Sequence, residues 1–288
     1  VVLFGGYGSG DPLDDTWVNT AAGWSTAATL GSLIPPERYE HAMARQGSTV
    51  VMFAGFDNTM GSPYLSDTWV FDGSTWTNPL NTGGSPSARA GHAMATLPNG
   101  NAILFGGFNG ENPLGDTWVF DGSTWKETNT GATQAPPARY AFAMASVGGK
   151  VVLFGGIEQE SGSGGASDTW TTTDGVTWTQ VSGAGPSGRY AHAMATLGSS
   201  VAVLFGGSTG TTTPTDTWTF DGSTWTPSPA TGPSGRIDAA MATQGGTVVL
   251  FGGGSGDDDT WVFDGAAWTQ PQGSGPSGRT SHAMATLP

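Results

Sequence analysis

The chain has 288 residues and a formal net charge of −14 at pH 7, from 23 Asp and Glu against 9 Lys and Arg. So few basic residues argue against nucleic acid as a partner, the lack of Cys removes disulfides, thiolate metal sites and cysteine nucleophiles, and no apolar run reaches the roughly 18 residues of a membrane span. With 48 Gly and 18 Pro, yet 36% hydrophobic residues, the composition is that of a folded chain rich in turns.

Taken in chain order, the same text recurs six times. An apolar run ends in a small-residue pair at VVLFGG (1–6), VVMFAG (50–55), AILFGG (102–107), VVLFGG (151–156), AVLFGG (202–207) and VVLFGG (248–253). Asp-Thr-Trp follows at Asp15, Asp67, Asp116, Asp168, Asp216 and Asp259. A second Trp comes next (Trp24, Trp76, Trp125, Trp178, Trp225, Trp268), and the two sets use all 12 tryptophans. Arg-x-x-(mostly His)-Ala-Met then opens at Arg38, Arg89, Arg139, Arg189, Arg236 and Arg279.

Each unit predicts four short strands. Strand a carries Ala-Met, strand b is the apolar run, strand c is DTWVFD or a variant, and strand d holds the second Trp. Strand b is apolar on both faces, as in a sheet covered on both sides, and Asp-Gly marks the turn from c to d. Such sheets cannot stand alone, but six arranged radially cover one another. The expected fold is therefore all-β: a six-bladed β-propeller of four antiparallel strands per blade, forming one domain over residues 1–288. The ring should close where C-terminal strand a (His282-Ala283-Met284) pairs with N-terminal strand b. The other blades place 10 or 11 residues between the Met and the small pair, whereas Ala285–Pro288 plus Val1–Phe4 supply 8, so a longer natural chain is expected.

These motifs resemble the kelch family of β-propellers: a Gly pair ending strand b, an aromatic residue in strand c and a Trp in strand d. The resemblance covers the whole chain and implies the fold. The family's functions range over intracellular adaptors, secreted binding proteins, a sialic acid mutarotase type and copper-radical galactose oxidase types. The last needs a cysteine-modified tyrosine, which this chain cannot form.

His41, His92, His192 and His282 share one repeat position with Phe142 and Ala239, which points to a packing slot and away from a metal ring. The six arginines match the six DTW aspartates in number and are expected to pair with them, within a blade or across neighbouring blades. Acids outside the scaffold gather in loops: Asp11 and Asp14, Asp57, Glu111, Glu158 and Glu160, Asp257 and Asp258. Gly253–Asp258 matches a GGxGxD calcium pattern, though two of its glycines are the kelch pair. No metal and no cofactor is expected.

Recognition is expected where the repeats disagree. Strands b and d end on one face, and the b–c inserts there run to 8, 11, 8, 11, 8 and 5 residues. They carry Tyr7, Phe56, Asp57, Tyr64 and Phe108. The two residues after each motif Arg vary as well, bringing Tyr39, Glu40, Tyr140, Tyr190 and Asp238 to the channel mouth. Glu40 and Asp238 are the candidate general acid and base, set apart by blades 2 and 6 not being neighbours. The expected function is a secreted or surface binding module, extracellular or periplasmic, with a carbohydrate or protein ligand on the loop face. The alternatives are a sugar-active, mutarotase-like enzyme using Glu40 or Asp238 with an Arg, and a structural component of an extracellular assembly.

Overall fold

The computed structural model describes residues 1–27, 33–58, 63–79, 84–129, 134–159 and 164–288. Six four-stranded antiparallel sheets form the blades of a propeller. Blade 1 runs Ala283–Ala285, Val2–Phe4, Thr16–Thr20, Gly23–Thr26, so strand a comes from the C-terminal end and strands b to d from the N-terminal end. Its register, Val2 opposite Ala285 and Phe4 opposite Ala283, closes the ring as expected. Blades 2 to 6 keep chain order, starting at Ala42, Ala93, Ala143, Ala193 and Ala240. No helix among the described residues is long and apolar enough to cross a membrane.

The core lies between blades. Along strand b of blade 2, Val50 and Met52 pack toward blade 1 while Val51 and Phe53 pack toward blade 3. Side chains alternate along a strand, so a run that is apolar at every position serves two interfaces. Six clusters repeat this arrangement around the ring.

Two polar stitches accompany the apolar packing. Every motif Arg is almost fully buried and grips the DTW aspartate of its own blade with two parallel hydrogen bonds of 2.5–3.1 Å. The pairs lie within blades, not between them, because strand a and the DTW segment flank strand b at its loop-face end. In blade 2, Arg38 also donates to the Pro36 and Ala54 carbonyls, and Asp67 accepts from the Trp69 indole N–H. Burial alone would raise the Asp67 carboxyl, but the Arg38 hydrogen bond and charge, with Trp69, bring it below the usual range. Neighbouring blades are instead joined by the strand d indoles. Trp125 donates to Thr68 of the preceding blade, and the other five repeat the bond at 2.9–3.3 Å, closing through Trp24 and Thr260.

At the end of the channel away from the loop face, hydroxyls of Thr96, Ser146, Thr196, Thr243 and Thr286 each donate to the carbonyl of the same position one blade back. Arg45 takes the sixth place, and its Nε turns to the Gly47 carbonyl.

Candidate functional site

Strands a and b continue past their regular ends onto the loop face. The residue after each motif Arg meets the residue after the small pair: Tyr39 with Phe56, Ala90 with Phe108, Tyr190 with Ser208, Tyr7 with Thr280, and Tyr140 with Ile157. This short antiparallel contact brings the d–a and b–c connections together. It also accounts for the second glycine of the pair. At Gly55 (φ 108°) an added Cβ would lie 2.8 Å from the His41 Cβ and 2.9 Å from the Tyr39 carbonyl oxygen.

The predicted aromatic residues form one arc across blades 1 to 4. Tyr7 meets Tyr39, Tyr39 meets Phe56, Phe56 meets Tyr64, Tyr64 meets Phe108 and Phe108 meets Tyr140, with ring centroids 4.9–6.3 Å apart. All six are half-buried. Ile157 then stands where Phe56 and Phe108 stand in their blades, and the run of rings stops. Tyr190, one blade further, packs against no aromatic ring among the described residues. Asp57 is buried beneath this surface, with its backbone N–H donating to the Pro63 carbonyl.

The next position around the ring forms the channel mouth. Glu40, Gly91, Ala141, Ala191, Asp238 and Ser281 all have φ between 54° and 63°, five of them with side chains. In this left-handed conformation each N–H reaches the same residue's carbonyl one blade back, at 2.7–2.9 Å, and the six bonds close on themselves. L-residues there cost about 1 kcal/mol or more each, and the belt of hydrogen bonds holds them in place.

Glu40 and Asp238 share this mouth. Blades 2 and 6 both adjoin blade 1, so only Ser281 separates the two residues around the belt, and both line one cavity of about 200 Å³. Blades 2 and 6 are thus not neighbours, as expected, yet the single blade between them leaves both carboxyls facing the same cavity. Burial pushes Asp238 up to about 6; burial and then the Asp238 charge raise Glu40, although Glu40 keeps an exposed surface toward the mouth. Tyr39 and Tyr64 are raised too, by burial first and then by the Glu40 charge. The aromatic arc and the carboxyl therefore act on one another.

His41, His92, His192 and His282 line the same cavity with Phe142 and Ala239, each histidine 5–6% exposed. Each stacks edge-on against the last Phe of strand b in the preceding blade (Phe4, Phe53, Phe154, Phe251), and Phe142 makes the same contact with Phe105. The packing slot is therefore real. Burial and the Arg charge below push His92, His192 and, with smaller contributions, His282 down to about 3, so the rings are neutral. Sequence reasoning placed the histidines in the scaffold and did not connect them to the mouth; their position three residues after the Arg was the available signal. Ser281 was visible only as one of the variable residues.

The scaffold claims several other candidates. Glu158 binds Arg139 where other blades use a serine hydroxyl, and Asp257 leans on Arg236 at 3.6 Å. Glu160 lies outside the described residues. Among those residues no group of three or more His, Cys, Asp or Glu is placed to hold a metal. The six motif arginines are each paired with an aspartate.

Six four-stranded blades in a closed ring, with a loop face on which the inserts and the belt residues differ from blade to blade, define a six-bladed repeat propeller. The KLHDC2/KLHL20/DRC7 Kelch-repeats domain matches over residues 1–170, 73–253 and 142–288, and the chain belongs to this kelch-repeat family. Among curated relatives, a probable serine/threonine-protein kinase of Dictyostelium discoideum is 33% identical over 114 residues, 36% of this chain and 8% of that protein. Tip elongation aberrant protein 1 of Schizosaccharomyces pombe is 31% identical over 150 residues, 48% of this chain and 13% of that protein. The similarity thus spans a small part of each relative.

Proposed function

We propose that the chain is a protein-binding module whose contact surface is the loop face, centred on the arc from Tyr7 to Tyr140. The arc carries this reading: six contiguous half-buried rings on loops that differ from blade to blade are more than a hydrogen-bonded scaffold needs. Tyr and Phe supply large contact area at low conformational cost. Kelch membership supports the same role. A carbohydrate ligand is the second reading, favoured by flat rings beside the Glu40 carboxyl. A secreted, extracellular or periplasmic setting remains part of the proposal, supported by the Lys-poor, Thr/Ser/Gly-rich strands, and fractionation of the source cells tests it.

The central test pans a random peptide display library and a glycan array in parallel, with the Tyr64→Ala/Phe108→Ala double variant as control. Peptides that bind the wild-type chain and lose at least tenfold in affinity on the variant are expected. Peptides held equally by both proteins would move the contact surface elsewhere. Glycan binding without peptide enrichment would replace the protein ligand with a carbohydrate one.

A further inference from the structure

We propose that the axial pocket at the channel mouth receives the ammonium group of a lysine side chain on the protein partner. This rests on the loop-face reading above and names the group recognised at its centre.

The first ground is the distribution of charge. Six of the nine basic residues are the buried motif arginines, each spent on an aspartate. The other three lie off the loop face: Arg45 and Lys150 line the cavity at the opposite end of the channel, and Lys126 is in an outermost strand. The mouth therefore has Glu40 and Asp238 at its centre and no unpaired cation of its own. A partner cation meets only attraction there.

The second ground is independent of the carboxylates. His41, His92, His192 and His282 each turn one ring nitrogen toward the backbone carbonyl of Phe4, Phe53, Phe154 or Phe251, which leaves the other ring nitrogen buried without a partner, and all four residues line the pocket at 5–6% exposure. Buried polar atoms without partners are uncommon and call for a polar occupant. Because the rings stay neutral, each offers one acceptor nitrogen without adding a charge that would repel an ammonium. Phe142 and Ala239 complete the lining with apolar surface, suited to a methylene stem.

The third ground is shape. Three consecutive belt positions, Glu40, Ser281 and Asp238, carry polar side chains, while Gly91, Ala141 and Ala191 carry none. A carboxylate, a hydroxyl and a second carboxylate on one arc suit a compact group with three donors. A planar guanidinium fork asks instead for two parallel acceptors on one group.

The test uses the full chain and four display libraries of nonapeptides, random except for a fixed central Lys, Arg, Gln or Glu. The Lys library is expected to enrich above the others. Its selected peptides should lose at least tenfold in affinity when that lysine is Nε-acetylated, a change that leaves the protein untouched. They should lose as much on the Glu40→Gln/Asp238→Asn variant, with thermal unfolding recorded alongside. Acetylated peptides binding within twofold of the parent would overturn the pocket. If Tyr64→Ala/Phe108→Ala still abolished binding in that case, the loop-face reading would stand without it. Equal enrichment of Lys and Arg libraries would overturn the lysine assignment, and no enrichment from any library would overturn both readings.

Discussion

Asp116 and Asp121 stand on one strand and the turn that follows it, and both have carboxyls held below the usual range, for unrelated reasons. At Asp116 burial pushes upward, and the Arg89 hydrogen bond and charge, with the Trp118 N–H, outweigh it. Asp121 is exposed and sits at about 2 because the Thr124 and Ser123 backbone N–H groups, followed by their hydroxyls, converge on it. The direction of the shift is shared, but the energetic consequences are not. Asp116→Asn leaves Arg89, with 0% exposure, facing a neutral group, and losing one partner of a buried pair costs about 3–5 kcal/mol. Asp121→Asn keeps an oxygen for the same turn bonds, so its cost is within about 1 kcal/mol. Urea unfolding of both variants at pH 7 separates them; similar losses would mean that the Arg–Asp pairs are not the scaffold's polar framework.

Within an element, the small pair and the belt explain what the repeat text conceals. Gly55 has φ 108° and no room for a Cβ, so Gly55→Ala is expected to cost about 3 kcal/mol through overpacking and backbone strain. It should also disturb the arc, because the clash falls on Tyr39 and His41. Ala141 is the reverse case. It is left-handed at φ 55° without needing its side chain, so Ala141→Gly relieves about 1–2 kcal/mol of strain against about 0.5–1 kcal/mol of added unfolded-state freedom. A net gain of about 0.5 kcal/mol is expected, read as a higher urea midpoint at unchanged slope. The sequence showed that positions such as Ala141 vary from blade to blade. It did not show the left-handed conformation, because Glu, Ala, Asp and Ser rarely adopt it and nothing local announces it. The condition arises only when six blades bring six carbonyls within reach.

At the scale of the molecule, the six-fold array and the Arg–Asp matching were legible because equal counts of complementary motifs leave few alternatives. The shared cavity of Glu40 and Asp238 was not, because one blade stands between them and the width of the channel mouth decides whether the two carboxyls face one space. The same circular packing sets the response to acid. His92, His192 and His282 titrate near 3 in the folded chain, and His41 is also well below its ordinary value, against about 6.5 when unfolded. The unfolded state therefore takes up protons that the folded state refuses. The resulting stability is fully present above about pH 6.5 and is lost as the pH falls toward 3. The DTW aspartates add a similar loss at lower pH, below their unfolded values near 4. Asp238 works in the opposite sense. Its folded value of about 6 lies above the unfolded one, and Glu40 and Glu158 are raised too, so protonation of these carboxyls favours the folded chain, but they are three groups against four histidines. Unfolding free energy should consequently decline from pH 6.5 to 4.5. His92→Phe copies the Phe142 packing already present in blade 4 and removes one refused proton. It should flatten that decline by up to about 1.4 kcal/mol per pH unit, with little change above pH 7. A slope identical to wild type, measured by urea unfolding at half-unit pH intervals, would show that the imidazoles are protonated in the folded ring and that the neutral pocket lining is wrong.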